Sequence, residues 1–370
     1  MSVVTTFETF NRLTEKLLHR IRSEGPIPFR DWMATALYGS EDGYYCRSGR
    51  QRWGREGDYR TSPERSSLFG AVFANYIASL YEQMARPTQF KMIECGGGDG
   101  KFAFDVLENL MRNDPQMLYS IRYVFDEASR SSIETAHQRL KPFEKSIDWQ
   151  SLTSLQSINT GVVFANELFD AFPIHRVVRR ADGFHEYYVN EVADAFGWVE
   201  GPLSSRELLE FCERNLDSVL EDQSLEVNLA IKPWLQSVAE TLQRGYVIVV
   251  DYGAESEELQ NPELRPNGSL RAYRNHQLVD DVLSRPGDCD ITSSVDWTHT
   301  RTVAQEVGFS CVTFERLDSF LLQEGLLAEL QRTLDRIENG AYKTAITVAA
   351  REMVLPQSMA AGFQVLILKR

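Results

Sequence analysis

Residues 91–107 read KMIECGGGDGKFAFDVL. An apolar run ends in an acid, Glu94, and passes at once into glycines at 96, 97, 98 and 100. The run is short enough for a strand. Ala103, Val106, Leu107 and Leu110 then recur at helical spacing, so the glycines stand where a strand turns into a crossover helix. In an open α/β sheet that turn is where ligands sit, because main-chain N–H groups and a helix N-terminus face a cofactor there. A phosphate-cradling P-loop does not fit: Cys95 occupies the position of its first glycine, and Phe102 follows Lys101 where Ser or Thr is required. A dinucleotide fingerprint can be forced through Gly98, Gly100 and Ala103, but its first glycine then comes late after the strand. The spacing Glu94-x-Gly96-x-Gly98-x-Gly100 instead puts a carboxylate at the strand tip and glycines in the turn. That suits a ligand carrying an ammonium and a ribose, as S-adenosylmethionine does.

A ribose presents two hydroxyls that one carboxylate can accept, so a second acid is expected at the end of the next strand. IRYVFDEAS (121–129) supplies Asp126 and Glu127, with Glu127 preferred, although acids are also favoured at helix starts without any ligand. Further on, VVFANELFDAFP (162–173) places Asn166, Glu167 and Asp170 after a buried run, where polar groups would face the transferable methyl group. Asp170 could equally cap a helix or pair with Arg176.

Outward from these motifs the text has the alternation of a mostly parallel sheet covered by helices. FKMIEC, IRYVFDE, KSIDW, TGVVFANE and GYVIVVDYG read as strands, and SCVTFERL and GFQVLILKR as a closing pair. Residues 7–22 form an amphipathic opening helix through Phe7, Phe10, Leu13, Leu17, Leu18 and Ile21. A second helix follows Ser62, with Phe69, Val72, Phe73, Tyr76, Ile77 and Leu80 as its buried stripe. The expected organisation is an N-terminal helical cap over 1–87 and a core over 88–370, with an inserted, mainly helical lobe at about 190–243.

The chain has 370 residues, 43% of them hydrophobic, and a formal net charge of -14. That balance argues against a protein that wraps nucleic acid. No apolar run reaches the roughly 18 residues of a membrane span, and the first twenty residues lack the pattern of an export or transit signal, so a cytoplasmic location is expected. Five scattered cysteines without a CxxC pattern indicate reduced thiols and no metal site.

Read together, GPIPFRDWM, DGYY, GDYRTSPERSSLFG, ECGGGDG, ANELFDAFP, VVDYG, GSLRAYRNH, PGDCDITSSVDW and GFQVLILKR make the chain resemble the MidA methyltransferases over nearly its whole length. This family includes relatives of a complex I assembly factor that methylates a protein arginine. The resemblance implies a Rossmann-like α/β fold with a seven-stranded methyltransferase sheet and S-adenosylmethionine as cofactor. It also implies an N-terminal segment that closes over the methionine end through Gly57, Asp58, Thr61, Ser62 and Glu64. GSLRAYRNH, with Arg271, Tyr273 and His276, would belong to the substrate side, although His276 fits a solvent role as well. The sequence departs from the family at YVFDEAS and SSVDWTH, which bears on the acceptor more than on the cofactor. The expected partner is a methyl acceptor, protein or small molecule, and a homodimer is admitted. Protein-arginine methylation, small-molecule methylation and non-catalytic assembly stay open at this point.

Overall fold

The computed structural model describes residues 4–47, 66–193, 195–355 and 362–370, with main chain alone over 4–11. Its centre is a sheet whose uninterrupted path holds seven strands. From one edge they run β4 (Ile147–Trp149), β3 (Ile121–Asp126), β2 (Phe90–Cys95), β5 (Gly161–Asn166), β10 (Gly245–Ala254), β16 (Phe363–Lys369) and β15 (Ser310–Arg316). The first five lie parallel, and β16 enters antiparallel between β10 and β15. An eighth, two-residue strand, β14 (Val295–Asp296), extends the end of β10. The seven runs read as strands in the sequence are these; continuous apolar runs mark the buried parallel ones, and alternation marks the closing antiparallel pair.

Alternation along each strand divides the core. Phe90 and Met92 face one cluster, shared with Phe69, Phe73, Phe102 and Phe164, while Ile93 and Cys95 face another with Leu235, Val238 and Trp297. The helix Ser67–Gln83 packs into the first cluster beside the helix Lys101–Asn113, so it belongs with the sheet rather than with an N-terminal cap. Ser66 caps it, accepting the Leu68 N–H at 3.2 Å, and Ser62 lies outside the described residues.

The segment expected to be a mainly helical lobe is mixed. Helices Arg206–Asn215 and Ile231–Thr241 alternate with strands β8 (Ala195–Gly201) and β9 (Ser224–Val227). These strands join β6 (His175–Arg180), β7 (Gly183–Val192) and the N-terminal β1 (Ile27–Pro28) in a second, antiparallel sheet. A third small sheet holds β11 (Arg271–Arg274), β12 (Gln277–Leu278) and β13 (Asp290–Thr292). The opening helix Val4–Glu24 buries Leu13, Leu17 and Ile21, and the helix Phe29–Tyr38 buries Phe29, Trp32, Met33 and Leu37. Both pack in one cluster with Ile174, which precedes β6, and with Val189 and Ile291 from the two smaller sheets. Tyr38 is thereby brought to the carboxyl ends of the central strands. Among the described residues no helix is long and apolar enough to cross a membrane.

Candidate active site

Strand order reverses between β2, whose successor β3 lies on one side, and β5, which lies on the other. Such a switch point opens a crevice beyond the strand ends. A cavity of about 290 Å³ occupies it, lined by Glu94 to Asp99, Lys101, Phe102, Asp126 to Ala128, Asn166 to Leu168 and, from further away, Tyr38, Tyr45, Phe172 and Trp234. This is near the lower end of the volumes of small-ligand pockets.

The glycine turn is built as its spacing suggests. Gly96, Gly98 and Gly100 have φ of +74°, +57° and +77°, a region costly for residues with a Cβ. Gly96 and Gly97 donate their N–H groups to the Asp126 carbonyl at 2.8 and 3.2 Å, which ties the turn to the end of β3. Gly100 serves a different purpose from the one expected of it. It does not line the cavity, and a Cβ there would stand 3.0 Å from Cβ of Ala136, so it permits the helix Lys101–Asn113 to pack on the helix Arg130–Arg139.

Glu94 is buried on the face of β2 that carries Met92, and the Tyr123 hydroxyl donates to it at 2.8 Å. Burial pushes its carboxyl up to about 8 despite that hydrogen bond, and the nearby charges of Glu127 and Asp99 push the same way. Of the two acids at the end of β3, Asp126 turns toward the neighbouring loop, where its carboxylate accepts the Leu152 N–H at 2.9 Å. Burial raises its pKa against that bond and one from the Cys95 thiol. Glu127 leans over the glycine turn, accepting the Gly98 N–H at 2.8 Å and the Ser129 N–H at 2.6 Å. The donor set fits the expected cofactor: a buried carboxylate for a cation, a second carboxylate over the turn for a diol, and glycines where a Cβ would intrude.

Beyond β5 the chain makes a tight turn. Glu167 takes a left-handed φ of +51° and donates its N–H to the Val250 carbonyl at 2.9 Å. The Asn166 amide donates to the Glu167 carboxylate at 3.1 Å, leaving the buried Asn166 Oδ1 without a hydrogen bond. Asp170 lies just behind the cavity wall, buried, with Oδ1 likewise unbonded. Burial holds its pKa well above the ordinary value, and the charges of Asp251, Glu167 and Asp290 add to this. It does not pair with Arg176, which stands 3.6 Å from Glu226 and against the rings of Tyr187 and Trp198.

Arg271, Tyr273 and His276 are not among the described residues that line the cavity. Arg271 and Tyr273 sit on β11, opposite Thr292 and Asp290 of β13. Asn275 and His276, with φ of +49° and +62°, form the two-residue turn joining β11 to β12, and His276 is exposed at its tip. Gly57, Asp58, Thr61, Ser62 and Glu64 lie outside the described residues.

Sequence reasoning did not single out Tyr38, Tyr45, Phe172 and Trp234, which wall the cavity, or the anchoring role of Asp251. Tyr45, Phe172 and Asp251 do fall within DGYY, ANELFDAFP and VVDYG, motifs that carry the family resemblance, but nothing local in those motifs assigns them a role.

Comparison with known proteins agrees with this geometry. Residues 72–314 match a family described as S-adenosyl-L-methionine-dependent methyltransferases. The chain is 30% identical to the mitochondrial protein arginine methyltransferase NDUFAF7 homolog of Drosophila melanogaster over 80% of its own length and 70% of that protein's. To the corresponding Xenopus tropicalis protein it is 28% identical over 90% of the chain and 80% of the relative. A Burkholderia thailandensis protein crystallised with S-adenosyl-homocysteine superposes with a TM-score of 0.85 at 25% identity, covering 98% of this chain and 93% of that one. The chain belongs to this MidA-type family of S-adenosylmethionine-dependent methyltransferases, with S-adenosylmethionine as its methyl donor.

Proposed function

We propose that this enzyme methylates an arginine side chain of a protein. The observation that carries the proposal is the pair Glu167 and Asp170, one lining the cavity and one directly behind its wall, on the loop that closes the end of β5 beside the glycine turn. A guanidinium is cationic and delocalised, and carboxylates that accept its N–H groups localise a lone pair on the reacting nitrogen. The names of the relatives, protein arginine methyltransferases, support the same acceptor.

On this reading Glu127 holds the ribose diol, the glycine turn admits the nucleoside close to the main chain, and Glu94 faces the ammonium of the methionine end. When bound, the cofactor supplies a methyl group on a positively charged sulfur. Alignment of acceptor and methyl then provides much of the catalysis, because this displacement needs little acid or base help. Glu167 grips the acceptor, Asn166 orients Glu167 through its amide, and the apolar walls from Leu168 and Phe172 exclude water. The acceptor nitrogen loses one proton as its bond to carbon forms, and Glu167, lining the cavity, is placed to take it.

A tritiated-methyl assay against lysate of the host, resolved by gel and followed by amino-acid analysis of labelled bands, tests the proposal. Label recovered as methylarginine is the expected result. Label confined to small molecules would overturn it.

A further inference from the structure

Two tyrosines from the N-terminal segment reach the cavity over long sequence distances. The Tyr38 hydroxyl donates to the Ala171 carbonyl at 2.9 Å, and the Tyr45 hydroxyl donates to the Asp290 carboxylate at 2.6 Å. Their rings stack with centroids 5.3 Å apart and planes 24° from parallel, and Tyr44 meets Tyr45 edge-on at 5.0 Å. Tyr38 ends the helix Phe29–Tyr38, whose buried residues fix it from below. Each ring is therefore held at two points, by a neighbouring ring and by a hydrogen bond.

The surroundings of Tyr38 are acidic. Burial, and then the charges of Asp170, Asp290 and Glu127, hold its phenol well above the ordinary value, so the ring stays un-ionised. An aromatic face carries negative charge density, and one placed among carboxylates attracts a cation more strongly than either element alone. The loop to which Tyr38 is bonded is the one that carries Glu167.

We propose that Tyr38 is a specificity-determining residue on the acceptor side of the cavity, its ring backed by Tyr45 and forming the face against which a planar guanidinium lies. The proposal rests on the arginine reading above. A guanidinium stacks flat on such a face while its edge N–H groups still reach carboxylates, whereas a lysine ammonium is a compact, strongly hydrated point charge that gains less from it. The ring thus selects arginine over lysine, and the carboxylates select a cation over a neutral acceptor.

The test uses the full chain loaded with S-adenosyl-homocysteine, titrated calorimetrically with N-acetyl-arginine methylamide and with N-acetyl-lysine methylamide. The unsubstituted protein is expected to prefer the arginine probe. Tyr38→Phe keeps the ring and the preference, while Tyr38→Leu lowers affinity for the arginine probe by about 2- to 30-fold, the range of one desolvated cation–aromatic contact, and leaves the lysine probe nearly unchanged. Fluorinated phenylalanines at position 38 keep the shape and withdraw charge from the ring, so stepwise loss of preference is expected even if Tyr38→Leu fails to fold. A preference that survives both Tyr38→Leu and fluorination overturns this proposal alone. Absence of any preference in the unsubstituted protein overturns the arginine reading and this proposal with it. Loss of S-adenosyl-homocysteine affinity in Tyr38→Phe would place the ring on the donor side and overturn the assignment.

Discussion

Asp251, wholly buried on β10, accepts the main-chain N–H of Phe169 at 2.9 Å. The same oxygen receives the N–H groups of Leu168 at 3.2 Å and Asp170 at 3.3 Å, and the other oxygen receives that of Tyr252 at 2.8 Å. One carboxylate thereby fixes the turn that holds Glu167 in its left-handed conformation. An amide cannot accept on both sides. Asp251→Asn is expected to cost about 1 to 3 kcal/mol, the penalty for a buried donor left unmade, and to lower turnover more than cofactor affinity. Denaturant unfolding and calorimetry with S-adenosyl-homocysteine check this; unchanged stability and turnover would refute the anchoring role.

The glycine turn separates two functions that the sequence presents as one. Gly98 lines the cavity at φ +57°, and its N–H meets Glu127. Gly98→Val is expected to abolish binding of S-adenosylmethionine while the protein stays folded, because a branched residue at that angle is strained by about 1 to 3 kcal/mol and shifts the turn. Gly100→Ala should do the reverse. Its Cβ would meet the helix Arg130–Arg139 at 3.0 to 3.2 Å, so thermal unfolding falls by several degrees and affinity is largely kept. Equal effects of the two variants on affinity would contradict this division.

Buried carboxyls with raised pKa values give the unliganded protein a defined pH response. Glu94 is raised from 4.5 to about 8 and Asp251 from 3.8 to about 7, so the folded state favours their protonated forms. Their contribution to stability is full below the unfolded values near 4 and is lost as pH rises toward 8. The unliganded protein is therefore expected to unfold at lower temperature at about pH 8 than at about pH 5.5. An ammonium beside Glu94 favours the ionised form, so binding of S-adenosylmethionine should release a proton below pH 8 and tighten as pH rises toward 8. Calorimetry in buffers of different ionisation enthalpy measures that proton, and Glu94→Gln should remove it.

How much of this was legible in the sequence follows from the range over which each signal acts. β2, β3, β5 and β10 announce themselves because both faces are covered and their runs are mostly apolar, with the polar residues gathered toward the ends. Inside the lobe, β8, written AFGWVEG, and the four-residue β9, written SLEV, are short and carry glycine or charge, so their patterns resemble loops. That is why the lobe looked mainly helical. At the site, Glu94, the glycines and the acids after β3 and β5 are local in sequence and were readable. Tyr38 is bonded to a residue 133 positions away, and such a contact has no local period. Arg271 and Tyr273 share one face of β11, and His276 stands at the exposed turn that follows, so their grouping in sequence does not by itself carry them to the cavity.

On the proposed reading, the two carboxylates of the loop after β5 should answer differently to amide replacement. Glu167 lines the cavity, so Glu167→Gln loses a charge-assisted hydrogen bond to a cationic acceptor, worth about 1.5 to 3 kcal/mol, and turnover should fall by about one to two powers of ten with cofactor affinity nearly intact. Asp170 is buried behind the wall among Asp251, Glu167 and Asp290, and its own ionisation opposes the fold. Its pKa is raised in the folded state, so the stability it contributes is present at low pH and lost as pH rises. Asp170→Asn removes that loss. The variant should therefore be more stable than the parent under alkaline conditions, while turnover drops because an amide cannot ionise beside a cationic acceptor as the carboxyl can. Unfolding temperatures measured across pH, together with methyl transfer to the labelled host protein, read both effects. Should Asp170→Asn destabilise the protein at every pH, the hydrogen bond between Asp170 and the Tyr252 hydroxyl is structural and the acceptor role passes to Glu167 alone.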